Sequence, residues 1–285
     1  MVDAVAIAGH VRTLAHGDAA AKAEAALALW RLMAPRARGE EHRKWITLAG
    51  AMPPLVELLQ SGGEGARCAA GALTNLAAND DNRVTIVAAG GIAPLVELVR
   101  RGCDGAKKFA ALALGNLSLG NDDNQVAIAA AGAIAPLVDL LRDGRADGKW
   151  AAAHTLRSLA LSNADNKVAI AAAGAIAPLV ALMRSGGDGV IGMRSATSGA
   201  DHAKEALNNL ARGNVDNQVL IAEAKGDIKE LVKLARSASS NAAKDAAARF
   251  LARRRLALVR KCVDGKVPAE LEPIIAACLA RRGFS

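Results

Sequence analysis

The sequence is poor in aromatic residues: 285 residues include three Trp, three Phe and no Tyr. A buried core must therefore be built mainly from Ala, Leu, Val and Ile, in a chain that is 52% hydrophobic. Ala and Leu are strong helix formers, and no run of β-branched residues alternates at period two. The composition predicts an all-α fold.

Long hydrophobic runs are also missing. Gly, Pro or a charged residue interrupts every apolar stretch well before the roughly 18 residues that a membrane-spanning helix needs. The first residues, Met1 to Val5, contain no basic region followed by an apolar one, so a secretory signal is not expected. We therefore expect no membrane span and a location in the cytoplasm, with the nucleus as a second compartment.

The four cysteines are scattered and form no C-x-x-C pair, which argues against metal binding and suits a reducing compartment. They are Cys68, Cys103, Cys262 and Cys278.

The net charge of +8 belongs mostly to the C-terminal end, where residues 236–285 contain eleven Lys or Arg against four Asp or Glu. A basic patch there could contact the phosphates of nucleic acid or an anionic membrane. Only Phe250 lies beside it, and bases need an aromatic platform, so a solvated face is the favoured interpretation. The patch consists of Arg253, Arg254, Arg255, Arg260 and Lys261.

One stretch, Gly132–Leu141 (GAIAPLVDLL), recurs along the chain. Similar stretches begin at Gly50, Gly90, Gly174 and, more loosely, Gly226, at spacings of 40, 42, 42 and 52 residues. Self-similarity at this period is typical of stacked repeats, in which a core forms only between neighbouring units. The sequence therefore predicts a helical solenoid.

Each unit reads as three helices. A cluster such as Asn121-Asp-Asp-Asn124 supplies helix-capping side chains, and a short apolar helix over about 125–131 follows. Gly132 is predicted to end that helix in a left-handed turn, and Pro136 lies at the start of the second helix. A Gly-rich loop then leads to a longer third helix, from about 149 to 161.

The repeats divide the chain into an array over residues 1–255 and a basic C-terminal cap over 256–285. Residues 3–38 read as a unit without its first helix, so the array is expected to begin part-way through a unit. One unit is longer because it contains an inserted loop rich in Gly, Ser and Thr at 186–202, where His202 is expected to be solvated. The units are 3–38, 39–78, 79–120, 121–162, 163–213 and 214–255.

The third helices carry the most specific motif. Gly71–Leu76 (GALTNL), Ala111–Leu117 (ALALGNL) and Ala206–Leu210 (ALNNL) resemble the "GAL-x-NL" core of armadillo repeats, as do the interhelical Gly and the Pro-Leu-Val that opens the second helix. The resemblance covers about residues 3–255. It implies a right-handed α-solenoid of armadillo repeats with three helices per repeat.

In armadillo proteins the third helices line a concave groove, and the Asn of each "NL" pair forms a ladder that holds an extended peptide. An amide suits this role because it both donates and accepts hydrogen bonds. The alternative is that these side chains only satisfy neighbouring helices. The resemblance assigns the ladder, and so the partner-binding residues, to Arg31, Asn75, Asn116, Ser158, Asn209 and Arg249. Its amide centre and arginine ends favour a partner segment with acidic ends.

The importin-α type carries a Trp four residues before each ladder Asn, but this chain has none there. The chain therefore looks closer to the Vac8 and plant armadillo type, which act as adaptors, sometimes beside a ubiquitin-ligase domain. The residues at those positions are Leu27, Gly71, Leu112, His154, Glu205 and Asp245.

No group of residues predicts catalysis. The segment Gly144–Lys149 lacks the spacing, the Ser or Thr and the preceding strand of a phosphate-binding loop. The Asn-Asp clusters lack the ligand pattern of a calcium loop, and no His pairs with another at ligand spacing. We therefore expect no enzyme, no cofactor, no metal and no small-molecule substrate.

Three functions stay open at this point. The favoured one is a protein-interaction scaffold that binds a protein or peptide segment in the groove. The second is the substrate-recognition region of a ubiquitin ligase whose catalytic domain lies outside this sequence. The third, contact with anionic membrane or nucleic acid through the basic patch, is the least favoured.

Overall fold

A computed structural model of the chain describes residues 2–33, 39–186 and 198–237. Within these residues the chain forms sixteen α-helices, one short 3₁₀ helix and no strand, so the all-α fold class is confirmed. The Cα positions divide the chain into two compact units, Met1–Asn209 and Leu210–Ser285, which are described separately.

The first compact unit repeats the order of first, second and third helix. The opening pair is α1 (Val2–His16) and α2 (Ala19–Leu32), and α2 takes the place of a third helix. The first helices are α3 (Gly39–Leu48), α6 (Asp80–Ala88), α9 (Asp122–Ala130) and α12 (Ala164–Ala172). The second helices are α4 (Met52–Leu58, extended by the 3₁₀ turn Leu59–Ser61), α7 (Ile92–Arg101), α10 (Ile134–Asp143) and α13 (Ile176–Arg184). The third helices are α5 (Gly63–Leu76), α8 (Asp104–Ser118), α11 (Ala146–Leu159) and α14 (Gly199–Ala211).

The second compact unit contains the end of α14, followed by α15 (Val215–Lys225) and α16 (Ile228–Ser237). Helix α15 packs against α16. The predicted cap over 256–285 and the boundary at 255 lie outside the described residues. These domain limits stay a prediction.

The Asn clusters cap the first helices as expected. The side chain of Asn121 accepts a hydrogen bond from the backbone N–H of Asn124 at 2.9 Å, and Asn79, Asn163 and Asn214 do the same in their units. Because Asn121 provides this cap, α9 begins at Asp122, three residues earlier than predicted. The predicted role of these clusters in helix capping is confirmed.

The second Asn of each cluster has a role that the sequence did not indicate. The buried Asn124 side chain donates from Nδ2 to the carbonyl of Leu117 at 2.8 Å, and so ties α9 to the end of α8. Asn82, Asn166 and Asn217 make the equivalent bonds at 3.0–3.1 Å. Each pair of asparagines therefore caps one helix and fastens it to the preceding third helix.

The glycine between first and second helix adopts the left-handed conformation that was predicted, with φ of +79° at Gly132. Gly132 N–H donates to Ala129 O at 2.9 Å and Ala133 N–H to Ile128 O at 3.3 Å. This pair of bonds is the Schellman motif, which satisfies the last carbonyls of a helix.

Replacing Gly132 by Val should lower the free energy of unfolding by about 1–3 kcal/mol, because a β-branched residue is strained at positive φ. Among the described residues, apart from its two neighbours in the chain, only Arg100 Nη2 comes within 4 Å of an added Cβ, at 3.7 Å, so the cost comes from the backbone and not from a clash. Urea denaturation followed by circular dichroism would measure it. A Val variant as stable as the wild type would contradict the turn.

The core between helices is built from Leu, Ile, Val and Ala, as the composition required. Ala-rich third helices pack side by side, α2 against α5, α5 against α8 and α8 against α11. Their fully buried leucines include Leu29, Leu73, Leu76, Leu114, Leu117, Leu156 and Leu159.

The inserted loop was predicted at 186–202, but α14 already begins at Gly199, so the C-terminal limit of that prediction was wrong. Ser198 and Asp201 form a capping box: Ser198 N–H donates to Asp201 Oδ2 at 2.9 Å, and Asp201 N–H donates to Ser198 Oγ at 3.1 Å. Residues 187–197, which carry the rest of the insert, lie outside the described residues. The spacing Ser-x-x-Asp was the sequence signal for this helix start.

No single helix in the described part of the chain is long and apolar enough to cross a membrane. Three pairs of first and second helices reach the required length and composition only together, and each pair is bent by 80–84° at its break.

Candidate functional site

The predicted ladder positions lie on consecutive third helices. We call the side of α2, α5, α8, α11 and α14 that carries these positions the third-helix face. Helix α14 joins α11 through Arg157, whose Nη1 lies 2.6 Å from Glu205 Oε2 and whose carbonyl accepts a hydrogen bond from Asn209. The described ladder residues are Arg31, Asn75, Asn116, Ser158 and Asn209, whereas Arg249 and the patch of Arg253, Arg254, Arg255, Arg260 and Lys261 lie outside the described residues.

Two of the three ladder amides already donate a hydrogen bond to a backbone carbonyl of a neighbouring third helix. Asn116 Nδ2 donates to Thr74 O at 3.0 Å, and the 8% exposed Asn209 donates to Arg157 O at 3.1 Å. In both bonds the acceptor is the residue directly before the ladder position of the previous unit. The third amide differs, because no side-chain hydrogen bond joins the half-buried Asn75 to any residue that the structure describes.

The two other described ladder positions differ in exposure. Arg31 is exposed near the end of α2. Ser158 is 2% exposed, and its hydroxyl donates to His154 O at 3.2 Å within its own helix. Arg31 is therefore accessible to a partner, whereas Ser158 is almost fully buried and its one donor is already used.

None of the positions four residues before the ladder holds a Trp, but Trp30 of α2 reaches one of them, Gly71, from the neighbouring helix. Its ring covers Gly71, where an added Cβ would lie 2.7 Å from Trp30 Cε2. The missing side chain lets Trp30 reach across α5 to Phe109 of α8, with ring centroids 4.7 Å apart and planes at 75°. This contact spans three consecutive units.

Two cations lie over these rings. The guanidinium carbon of Arg67 lies 5.3 Å from the Trp30 centroid, and Lys108 Nζ lies 4.5 Å from the Phe109 centroid. Arg67 also donates from Nε to Glu64 Oε2 at 2.7 Å, which lowers the pKa of Glu64. Lys108 Nζ lies 3.2 Å from Asp147 Oδ2 in α11.

A second ring cluster occupies α11 and α14. Trp150 stacks on His154 with centroids 5.8 Å apart, and His202 meets both rings edge-on. His202 is only 4% exposed, so the expectation that it is solvated was wrong: the helix start at Gly199 turns it inward. Burial, then the nearby His202 and Arg157, lower the pKa of His154 to about 3. Burial also lowers the pKa of His202.

The described residues contain no group of three or more His, Cys, Asp or Glu side chains that could hold a metal ion. Cys68 is buried, which raises its pKa to about 11, and Cys103 is an exposed free thiol. An open cleft of about 530 Å³ between α3 and α6 is lined by charges of both signs. Its charged lining residues are Glu40, Arg43, Lys44, Asp80 and Asp81.

Comparison with known proteins gives structural relatives only, since no family model and no curated protein matches the chain. A designed armadillo repeat protein is 27% identical with a TM-score of 0.66, and the match covers 86% of this chain and 98% of that one. This chain has an armadillo-like repeat fold. The resemblance seen in the third-helix motifs is thus supported by structure.

Two further structures share the armadillo-like fold of this chain. An engineered protein solved by a structural genomics consortium is 30% identical with a TM-score of 0.65, covering 86% of this chain and 94% of that chain. A second designed armadillo repeat protein was solved in complex with the peptide (KR)4. It is 27% identical with a TM-score of 0.64, and the match covers 86% of this chain and 98% of that one.

Proposed function

We propose that this protein is a non-catalytic adaptor that binds an extended segment of a partner protein along its third-helix face. The observation that carries the proposal is the row of amides at Asn75, Asn116 and Asn209, which occupy equivalent positions in their units. A peptide backbone offers one donor and one acceptor per residue, and an amide side chain can pair with both. Where Nδ2 already donates to a neighbouring helix, one N–H and Oδ1 remain for a partner.

The relatives support the same function, because one designed armadillo repeat protein was solved with a peptide bound. We further propose the adaptor type, like Vac8 and the plant armadillo proteins, and not the importin-α type. The ring faces of Trp30 and Phe109 are approached by Arg67 and Lys108, and Trp150 stacks on His154, so these rings offer poor slots for basic side chains. The adaptor would act in the cytoplasm, with the nucleus as a second compartment.

Selection of peptides from a random display library against the full chain would test this function. We expect to select extended peptides that bind the wild type. Their affinity should fall at least about tenfold when Asn75, Asn116 and Asn209 are all replaced by Ala, because each buried backbone group of the peptide that loses its partner costs about 1–3 kcal/mol. Asn116 and Asn209 also tie helices together, so circular dichroism must show that the variant keeps its fold.

A matched control replaces three exposed valines of the first helices α6, α9 and α12 by Ala, and should leave affinity unchanged. They are Val84, Val126 and Val168, which repeat at the same 42-residue spacing. Equal loss in the two triple variants, or no loss from the amides, would place peptide binding elsewhere on the protein.

A further inference from the structure

The ladder is uneven, and its open amide lies beside an unusual group of side chains. Asn75 is one helical turn beyond Gly71, the residue that Trp30 covers. Asn116 and Asn209 donate to the carbonyl before the previous ladder position, whereas Asn75 does not make the equivalent bond to Trp30 O. The backbone of a bound segment would therefore meet, at α5, a half-buried amide that has no side-chain hydrogen bond to a described residue.

The rings beside Asn75 are half-buried, so part of each remains accessible to a partner. We call Trp30, Phe109, Arg67 and Lys108 the ring–cation cluster. Both rings already have a cation close to them, and a Lys or Arg of a partner would be repelled by these charges. The cluster therefore disfavours a basic segment.

An acidic segment fits the same cluster better. Glu64, which pairs with Arg67, lies three residues earlier on the same helix and is 59% exposed. The Arg67 side chain is 25% exposed and its guanidinium has further N–H donors, so a carboxylate of a partner can add to this pair. Lys108 is paired with a single carboxylate oxygen of Asp147 and has further N–H donors. The exposed Arg31 adds a third positive charge at the end of α2.

We propose that the face of α2, α5 and α8 binds an extended segment rich in Asp and Glu, whose backbone pairs with Asn75 and whose carboxylates pair with Arg67 and Lys108. This rests on the proposed function and names its partner class. The segment that we propose is acidic, whereas the peptide (KR)4 that was solved in complex with a designed armadillo repeat protein is basic.

Calorimetric titration of the full chain with two capped octapeptides, (DE)4 and (KR)4, would test the charge preference. We expect (DE)4 to bind at least about tenfold more tightly, with an affinity that falls as salt is added. The double variant Arg67→Gln, Lys108→Gln should weaken (DE)4 at least about fivefold, and Lys108→Arg should retain binding because it keeps the charge.

The matched control is Arg100→Gln with Arg142→Gln in the second helices α7 and α10. Each of these arginines also pairs with a carboxylate three residues earlier, so the same charge is removed from a different surface. Equal weakening of (DE)4 by both double variants would overturn the proposal, because it would mean that overall positive charge attracts the peptide. Asn75→Ala should weaken (DE)4 more than Asn116→Ala.

Tighter binding of (KR)4, or binding of neither peptide, would also overturn the acidic preference. The proposed function would survive the first of these results if Asn75→Ala weakened (KR)4, because the face would then bind peptides of the opposite charge. It would fail independently if library peptides bound the amide triple variant as well as the wild type.

Discussion

Replacing Gly115 by Val should lower the free energy of unfolding by on the order of 2–5 kcal/mol, the largest loss we expect from one substitution in the third helices. An added Cβ would lie 2.8 Å from both His154 Cδ2 and Thr155 Oγ1. Thr155 is fully buried, and its hydroxyl lies 2.7 Å from Ala111 O and 2.9 Å from Ala151 O. It cannot move aside without losing these contacts, so α8 and α11 must separate.

Gly9→Val is the matched control, since Gly9 also lies inside a helix, α1, but no atom of another described element lies within 4 Å of an added Cβ. Val is a better helix former than Gly, so the control should be as stable as the wild type or slightly more stable. Thermal melts and urea denaturation of the three proteins would measure the difference. A Gly115→Val variant that unfolds with the wild type would show that α8 and α11 are not packed this closely.

The repeat period, the glycine turns and the asparagine caps could be read from the sequence because each depends on local chemistry. A left-handed residue at position 132 needs Gly, and a helix beginning at Asp122 needs a side-chain acceptor at Asn121. The same reasoning missed the capping box of Ser198 and Asp201, although its spacing was visible. The Gly-rich composition of the preceding residues outweighed that signal.

The candidate site could be predicted only in part. The motif placed Asn75, Asn116 and Asn209 at equivalent positions of the third helices, but it did not indicate that two of these amides donate to a backbone carbonyl of another unit. Likewise, the residue four positions before Asn75 is Gly71, and its missing side chain leaves room for the ring of Trp30 from the neighbouring helix α2. Contacts of this kind depend on the packing of units, which no local pattern encodes.

Lowering the pH from 7 to 5 should destabilise the protein through His154. Its pKa is lowered to about 3 in the folded chain, against 6.5 as the ordinary value, so the unfolded chain binds the proton more tightly. The contribution of neutral His154 to the free energy of unfolding is therefore fully present above pH 6.5, and it is lost as the pH falls toward 3. Over pH 7 to 5, one such group costs about 2 kcal/mol, before most carboxylates begin to titrate.

The structural reason is that His154 has no room for a charge. It packs between Trp150 and His202, and its buried Nδ1 has no hydrogen-bond partner among the described residues. Arg157 opposes a second positive charge nearby, while Glu205, which is paired with Arg157, offsets part of this effect at His202. The lowered pKa of His202 gives a pH dependence of the same sign.

His154→Phe would separate the two histidines, because Phe keeps a ring against Trp150 but cannot titrate. We expect the free energy of unfolding to fall less steeply between pH 7 and pH 5 in this variant, with His202 supplying the remaining slope. Urea denaturation at four or five pH values would measure both slopes. If the variant and the wild type lose stability equally over this range, His154 is not buried in its neutral form, and the packing of α11 against α14 differs from that described.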